Sequence, residues 1–199
     1  MTGATVRIPL VPSAPNPQTV LMTLVATHID SPVGELRLVC SDAGLSAVIW
    51  QGDDPSRVAF AGAATDGGHP VLAKAARQIS EYFAGQRVEF DLPLDLRGTA
   101  FQVKAWRALA TIPFGQTVSY GEQAKRIGVP TAVRAIGAAN GRNPVSIVLP
   151  CHRVIGADGS LTGFAGGLDA KRALLAFERR VADGDRTPMP VVERELALF

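Results

Sequence analysis

The chain has 199 residues, 47% of them hydrophobic and 19% charged, with 2 cysteines and 3 histidines. This excludes a disordered or fibrous chain and a disulfide-built secreted scaffold, and leaves room for one large domain or two small ones. The net charge of +2 is uneven: residues 97–180 carry 12 basic and 4 acidic side chains, residues 1–96 carry 6 and 10, so the second half suits a polyanion such as DNA or RNA.

Residues 1–22 hold Pro9, Pro12, Pro15 and Pro17 and no compact apolar core behind a basic head. They read as a loose leader, not a signal peptide. No apolar stretch is long enough to span a bilayer. With 2 cysteines and no paired-cysteine or His/Cys spacing for zinc, a reducing cytoplasm is expected, with no metal and no cofactor.

Residues 23–29, 35–41 and 45–50 are apolar or alternating, separated by Asp30-Ser31-Pro32-Val33-Gly34 and Ser41-Asp42-Ala43-Gly44. This pattern predicts a small antiparallel meander. Residues 51–69, rich in Gly, Ala and Asp, read as a loop with room for a short helix. Leu72, Ala75, Ala76, Ile79 and Phe83 recur at helical spacing before Gly85, which predicts a helix over 71–83. The alternation in Val88-Glu89-Phe90-Asp91-Leu92 predicts one more strand. Residues 23–95 thus form a small α+β unit with a structural role, and Cys40 reads as a strand residue without chemical neighbours.

Leu96-Arg97-Gly98-Thr99 marks the boundary to a second unit, residues 96–181, followed by a tail over 182–199. Thr99 is placed to cap a helix running to Thr111, with Phe101, Val103, Trp106 and Leu109 inward. Ser119 and Glu122 fit a capping box, which opens a helix to about Ile127. Gly128-Val129-Pro130 breaks it, and a further helix from Thr131 to Asn140 would complete a helix-turn-helix. Ala132, Ala135, Gly137, Ala138 and Ala139 make that second helix smooth. Small residues serve close helix packing as well as approach to a groove. The basic charge and the cysteine downstream tip the reading toward DNA.

Val145-Ser146-Ile147-Val148-Leu149 is apolar and β-branched and reads as a buried strand or extended segment. It delivers Pro150-Cys151-His152-Arg153. A free cysteine is often only a small buried hydrophobe. Beside a histidine and an arginine it is also a candidate nucleophile, because a cationic neighbourhood favours thiolate. Leu161 to Gly167 supplies three glycines for close backbone approach to a ligand. A final amphipathic helix runs from Leu168 to about Val181, with Glu178 near its end.

The second half closely resembles the O6-alkylguanine-DNA alkyltransferases, of the constitutive bacterial type. The resemblance lies in Gly98-Thr99-Ala100-Phe101-Gln102, Ile112-Pro113-Phe114-Gly115-Gln116-Thr117, Ser119-Tyr120, Arg134-Ala135-Ile136-Gly137, Asn140-Gly141-Arg142-Asn143-Pro144, Pro150 to Gly156 and Gly166-Gly167-Leu168. It covers residues 96–180 in order and spacing. Residues 23–95 are similar to the family's variable N-terminal domain only loosely, through Ser31-Pro32-Val33-Gly34 and the strand after it.

The resemblance implies an α+β protein, with a small ribonuclease-H-like N-terminal domain before a mostly helical domain carrying a helix-turn-helix. It implies a single-turnover suicide transferase that moves an alkyl group from O6-alkylguanine, and from O4-alkylthymine, in double-stranded DNA onto Cys151. His152 would take the thiol proton through a water molecule and Glu178 would orient the imidazole. Asn143 would brace the active-site turn, and Tyr120 would assist the leaving oxygen. Ser119, Thr131, Ala132, Arg134, Ala135, Gly137, Asn140 and Arg142 would meet DNA from the minor groove, with Arg134 filling the space of a flipped base. Tyr120, Val154, Phe164 and the Ala165 amide would form the base pocket. The partner is DNA, not a membrane, and the expected state is a monomer, with cooperative binding left open.

The chain departs from the family at Phe164, where many relatives have tyrosine. The leader and tail have no counterpart, and the metal-binding regulatory domain and structural zinc ligands of some relatives are missing. Two rivals come from other classes. Alkyltransferase-like recognition modules bind alkylated guanine without repairing it, but lack the acceptor cysteine. A papain-like thiol hydrolase needs a histidine far along the chain, and none follows His152.

Overall fold

The structure, a computed structural model, describes residues 24–54, 57 and 63–192. The leader, the chain's apolar tip and part of the loop considered for a short helix lie outside these. No helix among the described residues is long and apolar enough to cross a membrane.

The expected meander is β1 (Val25–Ile29), β2 (Leu36–Ser41) and β3 (Gly44–Trp50), paired antiparallel. A two-residue strand β4 (Ala64–Thr65), which no periodicity announces, adds parallel to β1 and completes the order β3-β2-β1-β4. Leu36, Leu38 and Cys40 alternate toward helix α1 (Pro70–Phe83). On the other face a smaller cluster forms from Ala26, Val39 and Ala47. His69 caps α1, its Nδ1 accepting from the Val71 amide at 3.3 Å, and Pro70 stands at the first helical position, where its missing N–H costs nothing.

The strand expected at Val88–Leu92 does not form. Gln78 of α1 donates to Asp91 O at 3.0 Å and accepts from Asp91 N at 2.9 Å, so a side-chain amide replaces the sheet ladder. The chain then runs along β3, where Leu45 N donates to Pro93 O at 2.8 Å. Gly44 makes that approach feasible: a Cβ there would sit 2.4 Å from Pro93 O.

Helix α2 (Ala100–Leu109) begins at Thr99, whose hydroxyl and Gln102 form a complete capping box. Such a cap contributes about 1 kcal/mol. Strand β5 (Val118–Ser119) leads into helix α3 (Tyr120–Arg126), capped by the predicted Ser119/Glu122 box. After a turn comes helix α4 (Val133–Gly141). It starts two residues later than expected, because residues 129–132 close a turn in which Ala132 N donates to Val129 O at 2.9 Å. The helix-turn-helix is therefore α3 and α4, held on α2 by Ala105, Ala124, Ile127, Ile136 and Ala139. Trp106 Nε1 donates to Ala139 O at 2.7 Å across that contact.

Val145–Leu149 is not a strand. It is a buried turn closed by Leu149 N to Val145 O at 2.9 Å, and only Val145 bridges to Val48. A 3-10 turn over Cys151–Arg153 follows, then β6 (Val154–Ile155), which pairs in parallel with β5, and helix α5 (Gly167–Ala182). Residues 183–192, in the segment read as a tail, pack back on the fold: Met189 enters the core and its amide donates to Phe83 O at 2.8 Å, while Val192 N bonds Pro32 O. One core runs through both halves, from Leu36 and Tyr82 to Leu149, Cys151 and Phe177.

Candidate active site

Cys151 is 6% exposed and sits at the start of the 3-10 turn, at the end of the buried turn. That turn is strained: Ile147 has φ +74°, a left-handed conformation that a β-branched residue rarely adopts. Asn143 holds it in place. Its side-chain Nδ2 donates to Leu149 O at 2.7 Å and its Oδ1 accepts from Val145 N at 3.2 Å. Arg57, from the loop after β3, donates to Asn143 O at 2.6 Å and pairs with Asp53. Strain of about 1–3 kcal/mol persists only where the surroundings over-determine it, and here both halves of the chain do so.

His152 and Glu178 are both 0% exposed. His152 Nε2 lies 2.7 Å from Glu178 Oε1. Arg153 reaches the same carboxylate through Nε to Oε2 at 2.7 Å and Nη2 to Oε1 at 2.9 Å. Gly115 N donates to Oε2 at 3.2 Å, and a Cβ at this residue (φ +74°) would sit 2.8 Å from Ala182 Cβ. Tyr82 of α1 donates its hydroxyl to Oε1 at 2.8 Å.

Burial pushes the Glu178 carboxyl up, but the facing Arg153 charge and the hydrogen bonds accepted from His152 and Arg153 outweigh it, so Glu178 is held ionised far below the usual carboxylate range. Burial pushes His152 below its ordinary value, against the pull of Glu178. The imidazole is therefore neutral, Nε2–H donates to Glu178, and Nδ1 is buried without a partner among the described residues. A carboxylate that fixes the tautomer leaves Nδ1 as the free base of the pair.

Cys151 needs that base. The sequence puts a cationic neighbourhood, which favours thiolate, beside it. Burial instead pushes the Cys151 thiol up, ahead of the opposing hydrogen bonds from Asn143 and Ser146 and the charges of Lys171 and Arg57. The resting group is a thiol, whose proton must have somewhere to go. Lys171 is fully buried, donating to Val154 O at 2.7 Å and Thr162 O at 3.0 Å.

A cavity of ≈ 660 Å³ opens beside these groups. Tyr120, Arg134, Gly137, Phe164 and Ala165 line it, joined by Arg57. Cys151 does not itself line the cavity, whose wall reaches His152 through Phe164. The Tyr120 hydroxyl lies 2.9 Å from Thr162 Oγ1, and burial pushes its acidity down, so it stays a proton donor. Phe164 is gripped edge-on by Trp50 at 5.2 Å and faces His152 at 6.2 Å between ring centroids.

Other expected residues lie off the wall of this cavity. Val154 is fully buried in β6 opposite Val118 and is not on the cavity wall. Asn140 faces inward: 7% exposed, it exchanges two amide hydrogen bonds with Gln123 of α3, at 2.7 and 3.2 Å, and is not on the helix's outer face. Thr131 and Ala132 precede α4 instead of lying in it. The Ser119 hydroxyl accepts from Glu122 N as the α3 cap. Ala135 and Arg142 are exposed and line a groove with Thr99 and Gln102 of the α2 start. Cys40 is not without neighbours: its Sγ lies 3.2 Å from His69 Nδ1, and burial and Asp42 push its thiol up to about 11, so it stays protonated.

The domain family described as the ribonuclease-like domain of 6-O-methylguanine DNA methyltransferase matches residues 24–96, and the family described as its DNA-binding domain matches residues 100–180. The chain belongs to the 6-O-methylguanine DNA methyltransferase family. A methylated-DNA–protein-cysteine methyltransferase of Mycolicibacterium paratuberculosis is 53% identical over 154 residues, 76% of this chain and 90% of the relative. That of Mycobacterium tuberculosis is 50% identical over 161 residues, 80% and 94%. The crystal structure of M. tuberculosis OGT in complex with DNA superposes with a TM-score of 0.72 at 46% identity, covering 83% of this chain and 95% of that one. The family's two-domain α+β architecture is the one seen here, sheet first and helix-turn-helix second.

Proposed function

We propose that this member of the 6-O-methylguanine DNA methyltransferase family is a DNA-repair protein. It moves the alkyl group of O6-alkylguanine in double-stranded DNA irreversibly onto Cys151, in a single turnover. The observation that carries this reading is the buried Cys151-His152-Glu178 array beside a cavity rimmed by α4 and Tyr120.

DNA is met by the α4 face, from the minor groove, where the small Ala135 and Gly137 allow close backbone approach. The alkylated base leaves the stack and enters the cavity. Arg134, exposed at the rim, fills the space behind it and offsets part of an extrusion cost of a few kcal/mol. In the closed complex the thiol proton passes through a water molecule to His152 Nδ1, and Glu178 stabilises the imidazolium. The S–C bond forms as the C–O6 bond breaks. Tyr120 donates to O6 as charge develops there. The base departs as guanine, its N1 regaining the proton that the thiol gave up, and the thioether stays on the protein. O4-alkylthymine presents the same chemistry in a smaller ring.

The test is transfer of labelled methyl from an O6-methylguanine duplex. Cys151→Ala abolishes it and keeps DNA binding. Methyl removal by the alanine variant overturns the assignment.

A further inference from the structure

We propose that Tyr82, from the N-terminal half, is a positioning residue for alkyl transfer, acting through Glu178 to keep His152 a weak base. The inference rests on the alkyl-transfer reading above. Tyr82 is fully buried, and its ring is packed against Phe90, Phe114 and Phe177 at 5.6, 6.1 and 5.6 Å between centroids, so the hydroxyl has one aim. It donates to the Glu178 oxygen that also accepts His152 Nε2. The segment after α5 anchors the end of α1, through Met189 N to Phe83 O at 2.8 Å and Arg186 Nη1 to Gly85 O at 3.0 Å.

Oε1 is thus shared among Tyr82, His152 and Arg153 Nη2. Each donor that satisfies the anion weakens its pull on the imidazolium. The groups facing this site come from several elements. Glu178 meets Tyr82 of α1, His152 and Arg153 of the 3-10 turn and the Gly115 amide; His152 also feels Lys171 of α5; Tyr82 also feels Arg153. Tyr82→Phe keeps all of these and the ring packing, and removes a single donor. His152 then holds a proton at higher pH, and a protonated imidazole cannot take the thiol proton.

The experiment is the single-turnover rate of methyl transfer from an O6-methylguanine duplex to the full chain, from about pH 5 to about pH 9. Tyr82→Phe moves the acid limb upward by roughly half a pH unit. Replacement of Tyr82 by 3-fluorotyrosine, a stronger donor of nearly the same size, moves it downward and serves if the phenylalanine variant does not fold. Phe90→Leu loosens the same aromatic cluster without touching Glu178 and leaves the limb in place. Normal wild-type transfer with an unmoved limb in the Tyr82 variants, or an equal shift in Phe90→Leu, overturns this proposal alone. Absence of transfer by the wild type at every pH overturns the alkyl-transfer reading and takes this one with it.

Discussion

Arg57 Nη1 lies 2.6 Å from the carbonyl oxygen of Asn143, across 86 positions of sequence, and joins the loop after β3 to the turn that carries Cys151. Arg57 also lines the cavity and favours the Cys151 thiolate through space. Arg57→Met keeps the apolar stem and removes both effects. The thiol becomes harder to ionise, and reaction of Cys151 with free O6-benzylguanine at neutral pH slows by about threefold to tenfold. An unchanged rate contradicts this.

Asn143→Ala leaves Val145 N buried without its acceptor and removes one of the two donors to Leu149 O, which keeps the Cys151 amide at 2.8 Å. A buried N–H without an acceptor costs about 1–3 kcal/mol and the lost hydrogen bond about 1 kcal/mol more, and the turn already holds the left-handed Ile147. Denaturant unfolding should show a loss of about 3 kcal/mol, together with slower transfer. A loss within about 0.5 kcal/mol, the range of ordinary surface substitutions, contradicts it.

Much of this framework is legible in the sequence because its signals are local. Thr99 with Gln102 and Ser119 with Glu122 each lie three residues apart, and both capping boxes form. The meander follows from alternation and turn residues. The family motifs placed Cys151, His152, Glu178, Tyr120 and Asn143, and the structure brings the first three and Asn143 around one buried turn. What escaped depends on distant chain. Tyr82 and Arg57 look like a helix aromatic and a loop cation until folding carries them to Glu178 and Asn143. Val145–Leu149 has a strand's composition, but its hydrogen bonds go to Asn143 and to its own turn. Val88–Leu92 alternates like a strand, yet Gln78 takes its polar groups. Asn140 lies on a helix with an exposed face, and only the fold of α3 shows that Gln123 claims its amide.

The pH dependence of stability follows from three directions. His152 is held below its ordinary 6.5 in the folded chain, and Glu178 below its ordinary 4.5, so the unfolded chain binds more protons on the acid side. The stability they contribute is present above those values and is lost as pH falls, first through His152 and then through Glu178. Cys40 is raised from 9.0 to about 11, and its contribution is present below 9.0 and is lost as pH rises toward 11. Denaturation midpoints against pH should show a plateau between about 6.5 and 9.0 with a fall on either side. A midpoint that rises as pH drops below 6.5 contradicts the neutral, buried imidazole.

Arg134 stands exposed on the cavity rim. Arg134→Ala should slow methyl transfer from duplex DNA by about tenfold or more and leave the reaction with free O6-benzylguanine within about twofold, since only the duplex requires extrusion of a base. Equal losses on both substrates contradict a role in extrusion.

The most direct measurement is the mass of the intact chain, and of its Cys151 peptide, after incubation with an excess of O6-methylguanine duplex. The account predicts the gain of one methyl group per chain, on the Cys151 sulfur, with no further gain on longer incubation. An unchanged mass while the DNA loses its methyl group, or a methyl group found on Cys40 or any other residue, contradicts it.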